Sequence, residues 1–474
     1  MQKQQFELNF NENKNRFHKA LDNGEFSVFF EINTPARDCD LSTVLSRLKP
    51  CASVLEKTKE FHAGFAITDK RYYQDRYNIL NFASELCIED RDKHILFLSG
   101  KGIKQEEMKE TINACHSLRF TNIVPISGGK LLDESPHNIR KVCFTESVDA
   151  LCHLKKKYSI DDIFPGCIVN PFKYTPADLF AQYYKLIKKL NLGANFIVTQ
   201  AGWDLLKYQE MRWFLERRER YVPSLARILF LKPELIESII SGHYSGIHIS
   251  PDFLSILRKE SKFGYTQFMA AQWRRVQLYV AGLHFLGYSG VVVAGIENAP
   301  EMTTAISKIS EALNEFTSFS DWKEAYLSYL ARSEMAPYPY RFYAFKNLFK
   351  DAYVDTAKEG STIVPGCSKL EKIKYFTAKK LFSGPQQKNR KTLFPFKKIL
   401  VGCVGCKSNH CYLSSTHFVC PELCPKKLHD GPCGETKADG SCELSSKECL
   451  YSKVFRIANW QKKLDLLEEK YVPK

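Results

Sequence analysis

The chain has 474 residues, 44% of them hydrophobic and 13% aromatic, with a formal net charge of +15. That length exceeds one ordinary core and that apolar content excludes disorder, so one large globular domain and a smaller one are expected. No apolar run approaches the roughly 20 residues needed to span a bilayer, and the opening MQKQQFELNFNENKNRF lacks the apolar centre of a secretory signal. A reducing cytoplasm is the expected location, and there cysteines serve as thiols or metal ligands rather than disulfides.

Over the first 330 residues, short apolar runs alternate with longer helical patterns. The expected strands are FSVFFEIN (26–33), HAGFAIT (62–68), HILFLSG (94–100), TNIVPIS (121–127), DIFPGCIVN (162–170), ANFIVTQ (194–200), LARILFL (225–231) and YSGVVVAGI (288–296). Continuous apolar runs of this kind suit parallel strands covered on both faces. Between them lie amphipathic stretches such as KQEEMKETINACHSL and TPADLFAQYYKLIKKLNLG. In the second, Phe180, Tyr183, Tyr184, Ile187 and Leu190 recur at helical spacing, and its LG ending is a helix stop. Eight strand–helix units point to an α/β fold, a (β/α)8 TIM barrel, over residues 1–335. No G-x-G-x-x-G follows the first strand, which disfavours a dinucleotide-binding sheet.

In such a barrel the chemistry projects from the C-terminal ends of the strands. Glu31 stands out there as a carboxylate inside the apolar run VFFEIN. Burial would raise its pKa and suit it to general-acid work near neutral pH. The competing reading makes it a structural acid paired with a barrel lysine.

Residues 336–399 read as a helical and basic linker region. Between Glu371 and Leu400 there are nine Lys or Arg and one acid, and the centre, GPQQKNRK, reads as solvated linker or as a docking surface for an acidic partner or cofactor. Residues 400–474 read as a cysteine-rich domain with a closing helix. Cys403, Cys406, Cys411, Cys420, Cys424, Cys433, Cys442 and Cys449 run C-x2-C-x4-C-x8-C-x3-C-x8-C-x8-C-x6-C. The segment is poor in apolar residues, so bound metal is expected to hold it together. Two zinc ions or two [4Fe–4S] clusters would each use eight thiolates as two sets of four. Only Cys403 and Cys406 have zinc-knuckle spacing, and the longer gaps suit loops wrapped around a bulkier cluster. His410 and His417 lie among these ligands. The other eight cysteines are scattered and are expected to pack as small hydrophobes. Net charge alone would admit nucleic acid, but the cysteine region is neither strongly basic nor interleaved with aromatics, so no nucleic-acid partner is expected.

The strand-end motifs FFEINTP, ITD, NIVPISGG, IFPGCIVNPF and KKLNLGANFIVTQ, in this order, resemble the methylenetetrahydrofolate reductases. These are (β/α)8 flavoproteins that reduce 5,10-methylenetetrahydrofolate to 5-methyltetrahydrofolate. The pieces CVGCKSNHC, CPELCPKK, GPCGE, GSCE and Cys449 resemble the small cysteine-rich domain that accompanies such reductases in acetogens and related anaerobes.

The resemblance implies that Glu31 protonates folate N10 and that Gln200 contacts the pterin. It further implies a flavin (FAD or FMN) held by Thr68, Ser99, Gly128, Gly129, Asn170 and Lys189. Two [4Fe–4S] clusters, with zinc as the alternative, would then take electrons from a redox partner protein, or the flavin would take them from NAD(P)H. A homo-oligomer is left open. Two strand ends depart from the family: Ser127-Gly128-Gly129 stands where an Arg-Gly-Asp or Gly-Asp is usual, and Phe97-Leu98-Ser99 where His-Leu-Thr is common. A different class of protein is the alternative: a non-catalytic barrel whose zinc-bound cysteine module mediates binding or assembly.

Overall fold

Eight parallel strands close on themselves in sequence order in the computed structural model, each paired with its neighbour and the last with the first. The structure describes residues 15–69, 76–130, 136–242, 244, 246–338, 342–349, 366–383, 394–406, 411–469 and 471–472. The strands are β1 (Ser27–Asn33), β2 (His62–Thr68), β3 (Ile95–Ser99), β4 (Asn122–Ile126), β5 (Phe164–Val169), β6 (Phe196–Thr199), β7 (Ser224–Leu229) and β8 (Gly290–Ala294). Each falls within one or two residues of an expected apolar run. Ser27 pairs with His62 on one side and Gly290 on the other, which closes the barrel. Helices cover the outer faces, so both faces of most strand positions are buried. The protein is therefore an α/β TIM barrel.

The N-terminal end of the barrel is plugged by the helix Arg16–Asp22. Its Phe17 is fully buried and meets Phe29, Phe164 and Phe196 edge-on, with centroids 4.9 to 5.9 Å apart. That leaves the opposite end, where the strands finish, as the open one.

The helix Pro176–Asn191, after β5, is amphipathic in sequence but buried on nearly all sides. One face packs on the barrel. The other, carrying Ala177, Phe180, Ala181 and Tyr184, forms a second core with Tyr375, Leu413, Phe418, Leu428, Tyr451 and Phe455. Phe180 stacks on Phe455 with centroids 5.6 Å apart. The cysteine-rich region thus buries apolar side chains against a barrel helix and its own flanking helices, contrary to the expectation that metal alone would hold it. Lys369–Phe382 and Phe394–Val401 are helices, and GPQQKNRK lies outside the described residues. The closing helix is two pieces, Leu450–Trp460 and Asp465–Glu469, separated by a turn in which Lys462 has φ 54°. Among the described residues no helix is long and apolar enough to cross a membrane.

Candidate functional site

Glu31, near the end of β1, is buried, and the side chain facing it comes from β7, two strands round the barrel. Arg227 on β7 grips the carboxylate with two nitrogens: Nη2 donates to Oε1 at 2.9 Å, and Nε donates to Oε2. Its third nitrogen, Nη1, donates to Gln200 Oε1 at 2.6 Å. One guanidinium therefore links the two residues singled out for acid and substrate contact. The structural partner of Glu31 is an arginine, not the lysine considered from sequence. Such a pair favours the ionised carboxylate, against the effect of burial alone. Arg227 escaped the sequence reading although its signal is the same as that of Glu31, a lone charge in an apolar strand, LARILFL.

The ends of β2, β3 and β4 form the neighbouring wall. Thr68 Oγ1 donates to Asn33 Oδ1 at 2.7 Å, and the Lys101 amide donates to Ser99 Oγ at 3.4 Å. Gly128 has φ 86°, and a Cβ there would lie 2.7 Å from both Lys101 Cβ and Ser99 Oγ, so the loop admits only glycine without rearrangement. Two buried lysines hold this loop. Lys101 Nζ donates to Gly129 O at 2.9 Å, and Lys426 Nζ, from the cysteine-rich domain, donates to Gly128 O at 3.1 Å. Lys189 Nζ donates to Ile168 O at 2.6 Å, and burial pulls its pKa down to about 8.

Glu31, Thr68, Ser99, Gly128, Gly129, Lys189 and Gln200 all line one cleft at the strand ends. Its cavity volume is about 150 Å³, and it opens to solvent at its mouth. Phe97 and Lys130 also line it, as do Pro432, Cys433 and Glu435 from the cysteine-rich domain. The site is therefore built by both domains. Asn170 is not part of this lining: its Nδ2 donates to Gly246 O at 2.9 Å and to Gly434 O at 2.7 Å, tying the β5 end to the cysteine-rich domain.

Further buried polar contacts fix that domain over the barrel mouth. Lys173 Nζ donates to Thr436 O at 2.9 Å, Lys188 Nζ to Asp430 Oδ1 at 2.9 Å, and Thr436 Oγ1 to Asp178 Oδ2 at 2.5 Å. Burial raises the pKa of Asp430 to about 6, with Lys188 opposing the rise.

The eight clustered cysteines fall into two neighbourhoods. Cys420 is within electrostatic reach of Cys403 and Cys406. The Cys403 amide donates to Lys397 O at 3.3 Å, and Lys397 Nζ lies 4.0 Å from Cys411 Sγ. In the second neighbourhood Cys424 is within electrostatic reach of Cys442, Cys433 of Cys424, and Cys449 of both Cys433 and Cys424. Burial pushes the Cys433 thiol up to about 12 and the Cys420 thiol up to about 11. Among the described residues, no three His, Cys, Asp or Glu side chains converge closely enough to hold a single metal ion. His410 lies outside the described residues, and His417 is buried. Of the scattered cysteines, Cys51, Cys87, Cys115, Cys152, Cys167 and Cys367 are buried, but Cys39 and Cys143 are exposed rather than packed.

With this geometry in place, comparison with known proteins bears on the C-terminal part. Residues 385–474 match the family model described as methylenetetrahydrofolate reductase C terminal. This segment is similar to that domain. Comparison with curated proteins finds no sequence match. Among solved structures, the chain is similar at 10% identity and a TM-score of 0.46 to a Clostridium thermocellum protein described as uncharacterised and as binding two copies of 5-methyl-5,6,7,8-tetrahydrofolic acid. That match covers 63% of this chain and 99% of the other. A second, to tryptophan synthase from M. tuberculosis, has 9% identity and a TM-score of 0.33, covering 64% and 98%.

Proposed function

We propose that the chain is a folate-directed oxidoreductase of the methylenetetrahydrofolate reductase type, with electrons entering through the cysteine-rich domain. The observation that carries this reading is the composite cleft. The segment that matches the reductase C-terminal model places Cys433 and Glu435 in the wall of the same cleft that holds Glu31 and Gln200. In this reaction the methylene carbon of 5,10-methylenetetrahydrofolate gains a hydride, its bond to N10 breaks, and N10 takes up a proton, giving 5-methyltetrahydrofolate.

The residues present fit a flavin. Lys130, Lys185 and Lys189 line the cleft and suit a phosphate-bearing cofactor. A bound flavin would supply hydride chemistry from electrons delivered singly or as a pair. The chain's own contribution is proton placement and substrate orientation. Gln200 addresses the pterin, and Glu31 holds the proton destined for N10. Because Arg227 binds both residues, substrate contact at Gln200 and proton placement at Glu31 meet at one guanidinium.

The cysteines are read as the ligands of two clusters, as their long spacings suggest. Eight thiolates in two sets of four match the ligand demand of two [4Fe–4S] clusters. The set Cys424, Cys433, Cys442 and Cys449 is the one next to the cleft, and Cys403, Cys406, Cys411 and Cys420 form the outer set. Protein purified without oxygen should contain about eight iron, about eight acid-labile sulfide and one flavin per chain, and should turn over methylenetetrahydrofolate with an artificial reductant. Zinc in place of iron, no flavin, and no turnover would together overturn the reading.

A further inference from the structure

The outer cysteine set sits beside an apolar and basic surface that nothing in the described structure covers. Eight of the fifteen large apolar side chains exposed among the described residues fall between Leu370 and Leu423. On the helix Lys369–Phe382, Tyr375, Ala378 and Phe382 face inward and are buried. At about 100° per residue, Leu370, Ile373, Phe376 and Leu381 point away from that buried face, and they are 36 to 62% exposed. A helix that is apolar on both sides is expected to be covered on both. The next helix, Phe394–Val401, adds Phe396 and Ile399, 56 and 71% exposed, and packs against the first.

This surface continues to the cysteines. Lys397 lies over the Phe382 ring at 5.4 Å and reaches Cys411 at 4.0 Å, and exposed Val404 stands between Cys403 and Cys406 in the chain. Cys406 and Cys411 are themselves exposed, whereas the inner-set cysteines are half-buried. The charge around the patch has one sign. Lys369, Lys372, Lys374, Lys379, Lys380, Lys397 and Lys398 are carried by these two helices, against the single acid Glu371.

We infer that the face formed by Lys369–Phe382 and Phe394–Val401 is the docking surface for an acidic electron-carrier protein that delivers electrons one at a time to the outer cysteine set. The inference rests on the reading of the cysteine domain as the electron entry. An apolar centre with a basic rim calls for a partner with an apolar centre and an acidic rim. A second copy of this chain would set the same basic rim against itself and pay like-charge repulsion. The electrons balance with two carrier molecules per turnover: each loses one electron, and the two electrons with two protons from solvent convert one methylene group to methyl.

The test uses the full-length protein, prepared without oxygen, and a small acidic iron–sulfur carrier protein reduced with dithionite. Isothermal titration and sedimentation measure the complex, and stopped-flow absorbance measures electron transfer, each at low and high salt. The inference expects binding that weakens with salt. Lys380→Glu/Lys398→Glu should lower the association rate about tenfold or more at low salt, and Ile373→Ser/Phe396→Ser should weaken the complex at all salt concentrations. Both variants should keep the parent's iron content and its turnover with an artificial reductant. Equal binding and equal electron transfer by parent and variants would overturn the inference. So would a parent dimer that Ile373→Ser/Phe396→Ser dissociates, or salt-dependent binding of an RNA oligonucleotide in place of the carrier. Turnover with the artificial reductant is scored separately: its absence would sink the folate reading while leaving the docking result to stand or fall on its own.

Discussion

Replacing Arg227 by methionine tests the centre of the cleft most directly. The side chain of Arg227 is 7% exposed and that of Glu31 is 2% exposed, so the pair is shielded from water. Methionine fills much of the same volume but removes two charged hydrogen bonds to the carboxylate and one to Gln200. Breaking a buried pair by removing one partner costs about 3–5 kcal/mol. Arg227→Met should lose that much stability in urea near neutral pH. A carboxylate stripped of its guanidinium takes up a proton more readily, so the loss should shrink as the pH is lowered. The double variant Glu31→Gln/Arg227→Met removes both charges and should recover most of the stability, since replacing a whole buried pair is often close to neutral. The cycle should therefore give a coupling of several kcal/mol. Equal destabilisation by the single and double variants, or no pH dependence of the single variant's loss, would refute the idea that the two charges sustain one another.

Two further outcomes follow from named groups. Glu31→Gln should abolish folate turnover while leaving reduction of the flavin intact, as followed by its visible absorbance under single-turnover conditions; normal turnover would remove Glu31 from the proton-donor role. Asp204 and Asp430 are both raised by burial from 3.8 to about 6. Between those values the folded chain keeps protons that the unfolded chain has released, so stability should fall as the pH rises from about 4 to about 6. Unfolding free energies measured across that window should slope downward, and Asp204→Asn and Asp430→Asn should each flatten the slope.

The barrel was legible because parallel strands buried on both faces leave continuous apolar runs, and all eight were visible. Glu31 was legible for the opposite reason, as a charge where the pattern demands none. The same logic applied to LARILFL would have exposed Arg227. What the sequence concealed was the second use of the helix Pro176–Asn191. Lys185, Lys188 and Lys189 are buried on it, where acids and carbonyls from other segments meet them. Those partners, Glu146, Asp430 and Ile168, lie 21 to 242 residues away, and no local period encodes such a meeting. Asn170 illustrates the same limit. It stands at a strand end as expected, but its amide goes to Gly434, 264 residues on, rather than to the cleft.

These long-range contacts change what kind of object the C-terminal region is. An appended electron-transfer module would keep its own core and touch the barrel through a separable surface. Here the core of the region includes Ala177, Phe180, Ala181 and Tyr184 of a barrel helix. Its polar struts end on the loops that shape the cleft: Lys426 on the β4 loop and the Gly434 carbonyl on Asn170 at the end of β5. Lys426 also forms an ion pair with Glu443 and lies within electrostatic reach of Cys433, so the strut on Gly128 is anchored among the inner cysteines. Anything that reorders those cysteines therefore moves the anchor of the β4 loop, and with it the wall that Gly128 and Gly129 give to the cleft. The order of the inner cysteines and the geometry of the cleft are on this ground coupled.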